Sequence, residues 1–239
     1  MRTGLLLLIL GSLLSLGACT KKEEVPAPDL GYDLFPTAIG TWVEYQVDSM
    51  WRDDLSNVHD SVSYTVRVRI VDHFTDLEGR ACQKIHRYVL DANGDWVVRD
   101  VWSSTVNEFA AEMTEENYRR LKLSFPVRAS RRWDIHVYGT GATGDTGRDD
   151  QLLVSYAEVD APWSTDLLSF PKTALVKNTV PPNFIETRRF EERYAKGVGM
   201  VQKYWEEGSN RVVNNPDGSI TLKYTGWRLR MTATAYGVD

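Results

Sequence analysis

The sequence has 239 residues and a formal net charge of −5, since 33 acidic residues outnumber 28 basic ones. The charge is mild and no basic stripe runs along the chain, which argues against a nucleic acid as the partner. The 8 tryptophans and 11 tyrosines favour β-strands, because aromatic side chains pack well on a pleated sheet.

The N-terminus has the parts of a bacterial signal peptide. Arg2 provides a positive charge, and residues 5–16 form an apolar run of about twelve residues, too short to span a bilayer well. Leu16-Gly17-Ala18-Cys19 then resembles the lipobox of bacterial prolipoproteins, in which small residues precede the cysteine that receives the lipid. We therefore predict a lipoprotein signal peptide at 1–18 and a lipid anchor on Cys19. The alternative is an ordinary secretory signal with an incidental cysteine.

The other cysteine, Cys82, has no partner for an intrachain disulfide once Cys19 carries lipid. It lies in a strand-like segment and is predicted to be a small buried apolar residue. A reactive thiol is the alternative, although no helper group stands near it in the sequence.

Residues 19–34 are predicted to form a flexible, lipidated tether. The stretch after the cysteine is polar, contains two prolines and has no periodic apolar pattern. Lys22, Glu23 and Glu24 resemble the basic-acidic-acidic export signal by which lipoproteins of the Bacteroidota reach the outer face of the cell. A solvated spacer is the equal alternative, so the side of the outer membrane stays open.

Residues 35–239 are predicted to fold as a single β-rich domain. In residues 60–72, valine, tyrosine and isoleucine alternate with serine, threonine and arginine, as expected for a strand with one buried and one solvated face. Similar patterns predict further strands at 42–51, 81–90, 96–102, 133–138, 151–158, 173–177, 184–194 and 199–205. Hairpin turns are predicted at 91–95 and 214–218, because they contain Asn-Gly and Asp-Gly.

Residues 107–121 are predicted to be the one helix, with Phe109, Met113, Tyr118 and Leu121 at a workable spacing. The predicted fold is therefore mostly β. It is a strongly curved antiparallel sheet or half-barrel, with this short helix against its concave side.

The last strand changes the parity of its apolar residues at Gly226. Ile220 and Leu222 occupy even positions before it, whereas Trp227 and Leu229 occupy odd positions after it. Because side chains alternate between the two faces of a strand, one register cannot bury both sets. This predicts a β-bulge or sharp bend at 225–226. The alternative is a strand that passes between two packed environments without a bulge.

Three short motifs stand out along the chain. Residues 117–126 have the form Asn-x-Arg-x-Leu-x-Leu-x-Phe-Pro and lead to Trp133, residues 194–201 are Tyr-Ala-Lys-Gly-Val-Gly-Met-Val, and residues 34–42 have the form Leu-Phe-Pro-x-x-x-Gly-x-Trp. With the lipobox, they resemble a group of Bacteroidota lipoproteins of unassigned function. Residues 130–132, Ser-Arg-Arg, depart from that group, in which a glycine turn is usual. The resemblance implies an envelope lipoprotein with a β-rich fold and brings no catalytic residues with it.

The common motifs of hydrolases, zinc proteases, thiol redox proteins and dinucleotide-binding proteins do not occur in the sequence. The histidines lack metal-ligand spacing: His59, His73, His86 and His136. Five glutamates could pair across strands as glycosidase carboxylates: Glu186, Glu191, Glu192, Glu206 and Glu207. They are interleaved with basic residues, so we predict a solvated ladder of ion pairs instead: Arg188, Arg189, Arg193 and Lys203. No catalytic, cofactor-binding or metal-binding residue is assigned.

These observations predict a non-enzymatic lipoprotein, held at the outer membrane by its lipid. It would bind an apolar ligand, a glycan or a partner protein of the envelope. A structural or assembly subunit of an outer-membrane complex is one alternative, and an unrecognised hydrolase of glycans or lipids is another. A large apolar concavity would favour ligand binding, a packed interior with an exposed flat patch would favour assembly, and carboxylates clustered in a cleft would favour the enzyme.

Overall fold

The computed structural model describes residues 27–139, 151–179 and 183–239, and these ranges consist mainly of β-strands. A short 3-10 helix at Tyr32–Leu34 precedes them. The strands are β1 (Thr41–Asp53), β2 (Val58–Thr75), β3 (Ala81–Leu90), β4 (Trp96–Val106), β5 (Ala110–Glu115), β6 (Tyr118–Ser124), β7 (Arg132–Asp134), β8 (Leu153–Ser164), β9 (Ser169–Asn178), β10 (Glu186–Ala195), β11 (Gly199–Asn214) and β12 (Ile220–Val238).

All the strands belong to one antiparallel sheet in the order β6-β5-β4-β3-β2-β1-β12-β11-β10-β9-β8-β7. The chain therefore winds up and down between neighbours, and the pairing of β1 with β12 joins its first and last strands. The two edge strands, β6 and β7, also approach each other. The Leu121 N–H donates to the Ile135 carbonyl at 3.0 Å, and Trp133 Nε1 donates to the Leu121 carbonyl at 3.0 Å. The sheet is thus nearly closed into a barrel, which confirms the prediction of a strongly curved β fold.

Most of the predicted strands and both hairpin turns are confirmed. Gly94 and Gly218 have φ angles of 87° and 82°, the left-handed conformation that a tight turn requires of its glycine. The strand predicted at 133–138 is shorter, since β7 ends at Asp134. Cys82 is buried on β3, as expected.

The predicted helix at 107–121 is wrong, because this segment forms the hairpin of β5 and β6. Glu115 pairs with Tyr118, and the two residues between them, Glu116 and Asn117, have φ angles of 49° and 65°. Positive φ at both central residues is what a two-residue hairpin loop requires, and asparagine tolerates it well. The apolar spacing that suggested a helix also includes Tyr118, which is mostly exposed.

The predicted bulge at Gly226 is also wrong. Gly226 pairs in register with Arg52 on β1 and with Gly208 on β11. Ile220 and Leu222 before it are exposed, at 68% and 50%, so the strand needs no bulge, and this part of it is not packed in a second environment as the alternative supposed. A Cβ on Gly226 would overlap the Glu207 carbonyl oxygen, so this position requires glycine because space is lacking.

The strands are irregular at other points, and one irregularity positions the site described below. On β6, Ala111 faces Leu123 and Glu112 faces Leu121, which leaves Lys122 as an extra residue between them. An inserted residue of this kind bends a strand and redirects its side chain. Lys122 is buried as a result.

The segment before β1 packs across one end of the barrel. Leu34 and Phe35 are buried there, and the Leu30 carbonyl accepts a hydrogen bond from the Val127 N–H. Lys196, in the turn between β10 and β11, forms ion pairs with Asp29 and Asp160. These contacts fix the point at which the N-terminal segment meets the barrel.

Candidate functional site

A row of side chains crosses the inner face of six neighbouring strands. Residues directly opposite each other on paired strands project from the same face. The row therefore consists of Val176, Glu192, Lys203, Met231, Val47 and Tyr64, from β9 to β2. Two charged residues stand in a row that is otherwise apolar or aromatic, and both are buried.

Glu192 is the centre of a group of buried charges. It is 0% exposed, and its Oε1 atom accepts a hydrogen bond of 2.6 Å from Lys122 Nζ. Lys203 Nζ lies 3.2 Å from the same oxygen. The Tyr194 hydroxyl donates to the other oxygen, Oε2, at 2.6 Å. Both carboxylate oxygens therefore have partners, as a buried carboxylate requires.

Glu115 extends this group toward β5 and β6. Its Oε1 atom lies 3.4 Å from Lys122 Nζ, and its Oε2 atom accepts a hydrogen bond of 2.9 Å from Arg120 Nη1. Lys122 thus bridges the two glutamates. We call Glu115, Arg120, Lys122, Glu192 and Lys203 the buried charge cluster; Lys122, Glu192 and Lys203 are buried, and the side chains of Glu115 and Arg120 are 13% and 18% exposed.

The electrostatics of the cluster keep both carboxyl groups ionised. Burial works against ionisation of Glu115, but the ammonium groups of Lys122 and Lys203 outweigh it and lower the pKa of Glu115 to about 2. The pKa of Glu192 is lowered by the same two lysines against the effect of burial. Neither carboxyl group is therefore protonated near neutral pH.

The two lysines of the cluster are shifted in opposite directions. Burial opposes the charge on Lys122, but Glu115 and Glu192 outweigh it and raise the pKa of Lys122. The pKa of Lys203 is lowered by burial and by repulsion from Lys122. Burial and the neighbouring Glu192 carboxylate raise the pKa of Tyr194 well above its usual value, so its hydroxyl remains a donor.

A cavity of about 110 Å³ lies next to this cluster. Glu115, Lys122 and Lys203 are the charged residues among those that line it. The rest of its wall is mainly apolar or aromatic and includes Phe35, Val43, Tyr45, Val68, Ile70, Ile85, Met113, Val198 and Met231. An apolar wall with a few charged groups at one place is the usual composition of a small-molecule site.

The predicted ladder of ion pairs is only partly correct. Arg188 pairs with Glu207 at 3.2 Å, and Arg189 pairs with Glu191 at 2.9 Å, in partly exposed positions that fit the prediction. Glu192, Arg193 and Lys203, in contrast, are buried and were wrongly placed on the solvated ladder. A sequence pattern could have shown this for Glu192, because Glu192 shares one face of β10 with two large aromatic residues at positions 190 and 194.

The four histidines that the sequence analysis considered as metal ligands each contact a different residue in the structure. His59 contacts Asp54, His73 contacts the Thr37 carbonyl, His86 contacts Tyr88, and the His136 ring lies 6.3 Å from that of Trp205. Within residues 27–139, 151–179 and 183–239, no three His, Cys, Asp or Glu side chains come together in a way that could hold a metal ion.

The predicted lipidation site and export signal, Cys19 and Lys22-Glu23-Glu24, lie outside the described residues. In the part of the chain that the structure describes, no helix has the length and apolar character needed to cross a membrane.

Comparison with known proteins identifies only distant structural neighbours. No protein-family model matches the chain, and no curated protein matches its sequence. One similar solved structure is a protein described as exported, with a YmcC-like fold, from Bacteroides fragilis. It is 9% identical, the match covers 85% of this chain and 98% of that one, and the TM-score is 0.37. Another is a protein described as a lipoprotein, from Parabacteroides distasonis, with 10% identity, the same coverage and a TM-score of 0.39. Likenesses this distant carry no argument about this chain.

Proposed function

We propose that this protein is a lipid-anchored, non-enzymatic binding protein of the outer membrane, and that its barrel holds a small amphipathic ligand. The observation that carries the ligand proposal is the cavity, in which a mainly apolar wall meets the buried charge cluster. The lipobox at Cys19 supports the anchor. A ligand with an apolar tail and a polar head would match both parts of the wall.

The unfilled space of the cavity supports a role in binding. An apolar wall that faces an unfilled space lacks the packing contacts that a filled core would give it. The space here is about 110 Å³ and its wall is mainly apolar, so an occupant would supply those contacts. A sequence under selection for packing alone could fill this space with one larger side chain, so an open cavity favours a ligand as its occupant.

The charges of the cluster weigh against the alternative of a hydrolase. Glycoside hydrolysis requires one carboxyl group that keeps its proton until it transfers it to the leaving group. Lys122 lies within 3.4 Å of both carboxylates and lowers the pKa of each. Carboxylates that stay ionised near neutral pH bind cations or hydrogen-bond donors and do not supply the acid.

Blocking the cavity tests the ligand proposal. Val68 lines the cavity, and Val62 lies on the same face of the same strand but is 56% exposed and outside it. We expect Val68→Phe to weaken binding of octanol and octanoate at least about tenfold, an effect of ~1.4 kcal/mol. Val62→Phe is the matched control and should bind as the unmodified protein does. Saturation-transfer NMR titrations would measure both, and equal binding by the two variants would exclude the cavity as the site.

A second experiment tests the anchor independently. Cys19→Ala removes the thiol that would carry the lipid, so the variant should leave the detergent phase in Triton X-114 partitioning. The unmodified protein should enter that phase, because the acyl chains of a lipidated cysteine favour an apolar environment. Retention of the Ala variant in the detergent phase would contradict the lipid anchor.

A further inference from the structure

We infer that the ligand is an alkyl carboxylate, and that the Lys203 ammonium group binds its single negative charge while the alkyl chain occupies the apolar part of the cavity. This inference rests on the proposed function, in which the cavity binds an amphipathic ligand, and adds the chemical class of that ligand.

The charge balance of the cluster is the first argument. Lys122, Lys203 and Arg120 are cations, whereas Glu115 and Glu192 are the anions that they contact, so one positive charge is in excess. An uncompensated charge in a largely buried group is costly, because it has lost most of its water without gaining a partner. One bound anion would neutralise the group.

The hydrogen-bonding capacity of the cluster assigns that anion to Lys203. Lys122 has two carboxylate partners, at 2.6 and 3.4 Å. Lys203 Nζ has only Glu192 Oε1 as an ion-pair partner among the described residues, at 3.2 Å, and Lys122 already binds that oxygen. An ammonium group carries three donors, so Lys203 can bind a further acceptor.

Lys203 lies next to the cavity, so the further acceptor can be a ligand bound there. The ammonium group of Lys203 lies 5.2 Å from the centre of the Trp205 ring on one side, and Lys203 itself lines the cavity. The pKa of Lys203 is lowered by burial and by Lys122. A carboxylate bound next to Lys203 would raise this pKa again and stabilise the charged form of the lysine.

The shape and charge of the cavity restrict the ligand further. A single excess positive charge matches a carboxylate better than a doubly charged phosphate. The cavity of 110 Å³ is smaller than the ~150 Å³ apolar cavity that holds benzene, so only part of an octyl chain fits inside it and the rest must extend through its open side. Valine, isoleucine and methionine side chains in the wall would contact the methylene groups of such a chain.

Three probes with the same chain test the charge preference: octanoate, octanol and octylammonium. We expect the unmodified protein to bind octanoate at least about tenfold more tightly than octanol, and octylammonium more weakly than either. Lys203→Met should bind octanoate and octanol equally, whereas Lys203→Arg should keep the preference. Lys223→Met, on the neighbouring strand β12 and outside the cavity, is the matched control and should behave as the unmodified protein.

The outcomes separate this inference from the proposed function. Equal binding of octanoate and octanol, or tightest binding of octylammonium, overturns the carboxylate inference and leaves an apolar ligand site in place. Binding of none of the three overturns both. An octanoate preference that survives in a folded Lys203→Met variant overturns the role of Lys203. If that variant does not fold, the comparison of the probes on the unmodified protein still decides the ligand class.

Discussion

Replacing Lys122 with methionine should destabilise the protein strongly, because this lysine bridges two buried carboxylates. Lys122 Nζ lies 2.6 Å from Glu192 and 3.4 Å from Glu115. At an effective dielectric constant of about 20, these pairs are worth roughly 6 and 5 kcal/mol. Removing the buried ammonium group returns several kcal/mol of desolvation energy, so we expect a net loss of about 3–5 kcal/mol in the free energy of unfolding.

Urea unfolding followed by tryptophan fluorescence would measure this loss. Lys177→Met, at an exposed position on β9, is the control and should change stability by less than about 0.5 kcal/mol. In the double variant Lys122→Met/Glu192→Gln, one of the carboxylates left by Lys122 is neutralised. The double variant should therefore lose less free energy of unfolding than the two single variants lose together, by at least ~1 kcal/mol. A loss below about 1 kcal/mol for Lys122→Met, or strict additivity, would refute the bridging role.

Three further predictions concern pH, packing and export. The pKa of Glu115 is about 2 in the folded protein and 4.5 in a free chain, so its stabilisation is complete above 4.5 and is lost as the pH falls through 2. Glu115→Gln should flatten the acid side of a stability–pH curve, and an unchanged slope would contradict this. Gly208→Ala should be destabilising by about 1–3 kcal/mol and be rescued by Tyr224→Ala, because the three atoms nearest to a Cβ there all belong to the Tyr224 side chain. Gly226→Ala should not be rescued, since backbone atoms also obstruct it, and equal rescue in thermal melts would refute the distinction. Replacing residues 22–24 by alanine should keep lipidation but hide the protein from external protease, unless the segment is only a spacer.

The sequence predicted the β fold well where a short-range pattern determines the structure. The alternation in residues 60–72 became the centre of β2, because successive side chains of a strand must point to opposite faces. The Asn-Gly and Asp-Gly turns were equally predictable, since glycine adopts positive φ without a steric penalty. The resemblance to the lipobox likewise depends on neighbouring residues alone.

The prediction failed where one pattern is compatible with two structures. The spacing of apolar residues in 107–121 suited a helix, but pairing of this segment with β4 made a hairpin of β5 and β6. Gly226 suggested a bulge, whereas the Glu207 carbonyl and the Gly208 Cα atom on β11 explain the glycine through lack of space. These are contacts between strands, which no local pattern records.

The candidate site depended most on the tertiary structure. The sequence by itself determined that Phe190, Glu192 and Tyr194 share one face of a strand, because every second residue points the same way. It did not determine that Lys122, 70 residues away, would reach Glu192 from a bulge on β6. Only closure of the sheet brings these groups together, because a buried charge is tolerated when distant strands supply its partners.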